Sequence, residues 1–202
     1  MDSSYGTWMN RYRLDHPDEI TPGEADENLE LLARKGIEHE AAYLVMLKSE
    51  TDVSEPTNEA ETIAAMHGGA PVIFQAHLSR DNFAGIADFL VRVDGASDGT
   101  CIWGDYHYEV WDTKLARRTK PYFLIQLCGY ADMLEAIQGR RPDRVGVVLG
   151  DGERKTYRTE EFFYYYRALK RSFEEFLADF DAEYFRLRIA DFQAIFQRFD
   201  DR

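Results

Sequence analysis

Cysteine is scarce in this chain. Cys101 and Cys128 are the only two in 202 residues, too few for a disulfide framework, and each reads as a small buried hydrophobe. Long apolar runs are missing as well. No stretch approaches the length a membrane span needs, and the opening MDSSYGTWMNRYR lacks the uninterrupted apolar segment of a secretory signal, so a cytoplasmic protein with no membrane partner is expected. Basic residues are in deficit: 24 Lys and Arg stand against 37 Asp and Glu, a net charge of −13. That balance disfavours a polyanion ligand unless the cations are gathered in one place. They are gathered. Asp15, Asp18, Glu19, Glu24, Asp26, Glu27 and Glu30 crowd the N-terminal part, whereas Lys114, Arg117, Arg118 and Lys120 follow one another with no acid between them.

What is present is enough for a core. With 45% hydrophobic residues the chain has the make-up of one domain with a small helical annex. A short helix is expected over Thr7 to Leu14, and the prolines and glycine from His16 to Gly23 mark a linker. A long helix starts near Glu24. Leu29, Leu32, Gly36, His39, Tyr43 and Met46 recur three or four apart along it, which predicts one core-facing side. A second helix spans Glu59 to Met66 and stops at Gly68-Gly69.

Three strands follow, Val72 to Ser79, Phe83 to Val93 and Tyr106 to Thr113, rich in β-branched and aromatic residues; the turn chemistry of DGASDG joins the last two in a meander. Pro121 suits the first turn of a helix on which Gln126 and Tyr130 share a face. Val145 to Leu149 is a short strand, turned by Gly150-Asp151-Gly152 into Lys155-Thr156-Tyr157. A last long helix begins at Thr159-Glu160, with Phe162, Tyr166, Leu169, Phe173, Phe176 and Phe180 as a packing seam and Tyr164, Arg167 and Arg171 on a solvated face. The tail from Tyr184 is amphipathic again. These boundaries divide the chain into an N-terminal helix and linker (1–23), an α/β core (24–158) and a C-terminal helical segment that packs on it (159–202).

The chemistry concentrates between Phe83 and Tyr130. Two β-type runs carry one aspartate each, Asp88 and Asp112, and Lys114 stands two residues beyond the second, on the same side of its strand. If the strands pair, two hard oxygen ligands and an ammonium surround one point. That set suits a divalent cation and the activation of water beside a phosphate. Asp112 within a strand is hard to explain as packing, because a buried carboxylate without a partner is costly. Lys114 could instead reach solvent at the strand end, Tyr130 could be a core aromatic, and Arg117, Arg118 and Lys120 could be a solvated loop.

The ordered set Gly36-Ile37-Glu38-His39, Gly85-Ile86-Ala87-Asp88, Asp112-Thr113-Lys114 and Gln126-Leu127-Cys128-Gly129-Tyr130 resembles the PD-(D/E)XK nuclease superfamily, in its RecB-like branch. The resemblance runs from Gly36 to the hairpin after Arg144. It implies a restriction-endonuclease-like core, a mixed central β-sheet flanked by helices, and a metal-dependent DNA nuclease, an exonuclease on single-stranded DNA or DNA ends. It further implies Mg²⁺ or Mn²⁺ held by His39, Asp88, Asp112 and the Thr113 carbonyl, Lys114 acting on water and phosphate, and Gln126 and Tyr130 positioning the lysine or the strand. DNA would run along Arg117, Arg118 and Lys120, with a helicase or another repair protein as a further partner. Several RecB-like nucleases hold an iron–sulfur cluster on four cysteines. Two thiols cannot, so no cluster is expected: either the core stands without one or the chain is a shortened relative. Two other readings stay open, a catalytically inactive nucleic-acid-binding or assembly subunit and a hydrolase of a smaller phosphate ester. Without the resemblance, His39 would read as a hydrogen-bonded core histidine.

Overall fold

The computed structural model describes residues 27–95 and 101–178. The helix expected over Thr7 to Leu14, the linker after it, Leu29's side chain, Phe180 and the tail from Tyr184 lie outside the described residues. The chain divides into a unit of residues 27–169 and a unit made of 1–26 and 170–202, of which 170–178 are described as the end of a helix.

Elements follow in the order α1 (Glu27–Glu50), β1 (Val53–Ser54), α2 (Glu59–His67), β2 (Val72–Arg80), β3 (Phe83–Asp94), β4 (Tyr106–Lys114), α3 (Pro121–Gln138), β5 (Arg144–Leu149), β6 (Arg154–Arg158) and α4 (Thr159–Ala178). The strands form one six-stranded mixed sheet in sequence order. The β2–β3–β4 meander is antiparallel, as are β5 and β6, while β1 runs parallel to β2 and β4 parallel to β5. Parallel neighbours need a crossover, and α3 supplies the one between β4 and β5. Local chemistry sets the boundaries. Asn58 caps α2 by accepting the Glu61 N–H at 2.9 Å, and Glu61 reaches back to the Thr57 N–H at 2.8 Å. Pro121 opens α3, and Gly139, left-handed at φ 73°, closes it.

Consecutive strand residues point to opposite faces, and both faces are covered. Ile73, Leu90, Val110, Val145 and Val147 join Met66 of α2 and Leu124, Leu127 and Leu134 of α3 in one cluster; Val72, Phe89 and Val148 join Tyr43 and Leu47 of α1 in the other. The molecule is thus α/β with helices on both sides of a mixed sheet. No described helix is long and apolar enough to cross a membrane.

The core-facing side of α1 differs from the expected one. Tyr43 is buried, but Leu32 is 56% exposed and Met46 37% exposed, and Leu47 is buried in their place. Residues 40, 43, 44 and 47 form the inward stripe. The apolar residues of α1 are spread around its circumference, so their spacing alone did not define one stripe. In α4 the seam is as expected: Phe162, Tyr166 and Leu169 are half-buried, with Phe163 buried beside them and Tyr164 86% exposed.

Candidate active site at the end of the sheet

Asp88 and Asp112 stand on neighbouring antiparallel strands just beyond the last ladder pair, Phe89–Trp111. There the two carboxyl groups stand close enough for Asp88 to raise the proton affinity of Asp112. Thr113 turns both its amide and its hydroxyl onto Asp88, donating to Oδ2 at 2.8 and 2.9 Å. Lys114 closes the group, with its Nζ 2.6 Å from Asp112 Oδ2. That ammonium lies off the line of a hydrogen bond, so Oδ2 is paired in charge yet has no directed donor. The Lys114 stem passes near Phe123 of α3, Nζ lying 5.5 Å from the ring centre.

Asp112 is 2% exposed. Burial, then the hydrogen bond and charge of Asp88, push its carboxyl up from 3.8 to about 8, against the opposing pull of Lys114. The folded protein therefore keeps a proton between those pH values that the unfolded chain has released. Stability from this group is complete below about 3.8 and is lost as pH rises through about 8. Urea melts in chelator are expected to show a lower midpoint at about pH 8.5 than at about pH 5, a difference that Asp112→Asn should largely remove. A midpoint that rises over this range would mean the two carboxyls are not crowded together.

From α3, Tyr130 donates its hydroxyl to the Ile86 carbonyl at 2.8 Å, and Gln126 lies beside it, close enough to act on the same hydroxyl. Gly85 is where the tyrosine fits: a Cβ there would stand 2.9 Å from its Cε1. The Gly-x-x-Asp spacing thus has a local cause, since only glycine lets the ring lie over the strand three residues before Asp88. From α1, His39 is half-buried, and its Nε2 is buried with no hydrogen-bond partner. That removes the hydrogen-bonded core role for this nitrogen. Arg117, Arg118 and Lys120 are exposed in the connection from β4 to α3, and Lys120 lies 5.8 Å from the Tyr122 ring centre. The first turn of α3 carries no acid, so its positive end adds to the basic loop.

The structure therefore brings Asp88, Asp112, Thr113 and Lys114 into direct contact, and Tyr130 and Gln126 beside them. Among the described residues, no three His, Cys, Asp or Glu side chains converge as a ready metal cage. The donors nonetheless suit a hard divalent cation: two carboxyl groups side by side at the sheet end, with an orphaned imidazole nitrogen on the adjoining helix. Two residues near the site escaped the sequence reading, Glu40 and Gln75. Gln75 donates to Glu40 Oε1 at 2.9 Å, and the charges of Asp88 and Lys114 reach Glu40. A lone polar residue in β2 and an acid on a charged helix carry no signal that would have marked them.

Compared with protein-family models and with curated proteins, the chain finds no match in either.

Proposed function

We propose that the chain is a metal-dependent deoxyribonuclease of RecB-like type, built on a restriction-endonuclease-like core and acting as an exonuclease on single-stranded DNA or DNA ends. One observation carries the reading: Asp88 and Asp112, on neighbouring strands, crowd each other at the end of the sheet, with Lys114 Nζ 2.6 Å from Asp112 Oδ2. The succession of a helix, a three-stranded meander, a crossover helix and a parallel strand supports it, as does the flanking position of Gln126 and Tyr130.

Phosphodiester hydrolysis brings an anionic nucleophile to an anionic phosphate, so the site must supply positive charge and lower the pKa of water enough for its proton to pass to solvent. A Mg²⁺ or Mn²⁺ ion on Asp88 and Asp112, with His39 and the Thr113 carbonyl as further donors, would supply Lewis acidity there. To serve as a ligand Asp112 would have to be ionised, its proton passing to solvent. Lys114, released from Asp112, is free to direct its ammonium at the attacking water or at a phosphate oxygen. Tyr130, fixed by Gln126 and the Ile86 carbonyl, keeps the α3 side of the site in place. Thr113 holds Asp88 in one orientation.

End-labelled single- and double-stranded DNA incubated with Mg²⁺, Mn²⁺ or chelator tests the proposal. Cleavage with either ion and none in chelator is expected. DNA binding without cleavage under any of these conditions would leave the inactive-subunit reading in its place.

The exposed cations should carry the DNA despite the acidic total. Arg117→Ala with Arg118→Ala is expected to weaken single-strand affinity and to flatten the plot of log affinity against log salt by roughly one to two units. Turnover at saturating DNA should change little. An unaltered slope would shift the DNA path to Arg140, Arg141 and Arg144.

A further inference from the structure

Gln75 holds a backbone conformation that its residue type makes costly. Its φ is +50°, in the left-handed region where a side chain with a Cβ is strained. Asp81, the other described non-glycine residue with positive φ, lies in the tight turn between β2 and β3, where aspartate tolerates that geometry. Gln75 lies in mid-strand. It falls between the pairs Phe74–Phe89 and Ala76–Ala87, which puts it opposite Asp88.

The same place is where both strands change step. Val72 and Phe74 face α1, yet Ala76 and Leu78 face the other way; Phe89 faces α1, yet Ala87 does not. Strict alternation would keep 72, 74, 76 and 78 together, and 87 with 89. No residue is inserted, since the register runs on unchanged either side. Gln75 and Asp88 therefore absorb the distortion together.

The distorted backbone delivers one contact. Gln75 Nε2 donates to Glu40 Oε1 at 2.9 Å, joining β2 to α1. Gln75 is itself exposed, and an exposed hydrogen bond adds little to stability, so a strained strand residue kept for it is not explained as a stability device. Glu40 is half-buried, and besides burial and the Gln75 amide it feels Asp88 and Lys114. Glu40 forms no close cage with Asp88 and Asp112 among the described residues, so it would act on a cation held there through water. Mg²⁺ and Mn²⁺ sites commonly retain such waters.

We infer that Gln75 is a positioning residue of the candidate cation site: its strained backbone fixes Glu40 as a third carboxylate facing Asp88, where the pair orders the water shell of a bound divalent cation. The inference rests on the proposed cation site and assigns that site its α1 side. Gln75 acts through Glu40, so removing either should cost the same.

Manganese titration calorimetry, with urea melts in chelator, on the wild type, Gln75→Gly, Gln75→Ala, Glu40→Gln and the double variant Glu40→Gln with Gln75→Gly tests it. Both Gln75 variants lose the amide, but only glycine relieves the positive φ. Gln75→Gly is thus expected to melt at higher urea than Gln75→Ala, while both bind Mn²⁺ about tenfold or more weakly. Glu40→Gln should match that loss, and the double variant should lose no more. Wild-type affinity in Gln75→Gly, or losses that multiply in the double variant, overturns the positioning role while the cation site stands. Equal urea midpoints for the glycine and alanine variants overturn the strained backbone as its cause. A wild type that takes up no manganese removes the cation site, and the inference with it.

Discussion

Asp112→Asn is expected to abolish metal-dependent cleavage while leaving the fold intact. Asparagine keeps the size of the side chain and can still bond to Asp88, but it cannot supply the charge that holds a cation. Losing the proposed ion would forfeit several kcal/mol of stabilisation at the phosphate, roughly a thousandfold or more in rate. The metal-free variant should be at least as stable as the wild type near pH 8, because the amide resembles the protonated carboxyl that burial and Asp88 already favour. Single-turnover cleavage at saturating Mn²⁺, beside urea melts in chelator, separates the two effects. Undiminished cleavage would end the assignment of the reaction to this site, and a collapsed fold would show that Asp112 serves structure first.

Gly146→Ala is expected to be among the most destabilising single-methyl changes in the sheet. Gly146 pairs with Trp111 across the parallel β4–β5 ladder, and the indole lies flat over it. A Cβ at that position would stand 2.1 Å from Trp111 Cδ2 and 2.4 Å from two further ring atoms. The ring cannot yield freely. It packs against the α1-side cluster of Phe89, Val148 and Tyr43, with the Arg154 guanidinium 5.9 Å from its centre. Overpacking of this kind costs about 3 kcal/mol or more when rigid neighbours must move. Trp111 also directly precedes Asp112, so a displaced indole should tilt the carboxyl away from Asp88 and reduce activity beyond the loss of folded protein. Urea melts of Gly146→Ala, and of Gly146→Ala with Trp111→Leu, test the cause. Restoration of stability by the smaller side chain is the expected result; a single variant as stable as wild type would mean the indole swings clear.

Much of the fold could be read from local pattern, because its elements are specified locally. The strands carry β-branched and aromatic runs, Asn58 and Pro121 begin helices, and Gly68 and Gly139 end them, so the order of elements followed. The candidate site was legible in part for the same reason. Asp112 is a carboxylate in a run otherwise made for burial, and Lys114 shares its side of the strand, so their pairing at 2.6 Å needs only strand geometry.

Other features depend on which surfaces meet. The inward stripe of α1 was decided by the sheet beneath it: Tyr43 and Leu47 fit against Phe89 and Val148, leaving Leu32 and Met46 outside. Gly85 and Gly146 look interchangeable with alanine until Tyr130 and Trp111 are seen lying over them.

Sequence alone determined the alternation of strands and helices, the two aspartates, the lysine and the basic loop after it, since propensity, capping and period act over a few residues. Only the tertiary structure decided that Asp88 meets Asp112, that the Asp112 carboxyl is driven up to about 8, and that Gln75 opposite Asp88 bends out of step to hold Glu40. Those outcomes turn on burial and on distances between residues far apart in the chain. Coulomb and desolvation energies respond to those distances, which no local pattern encodes.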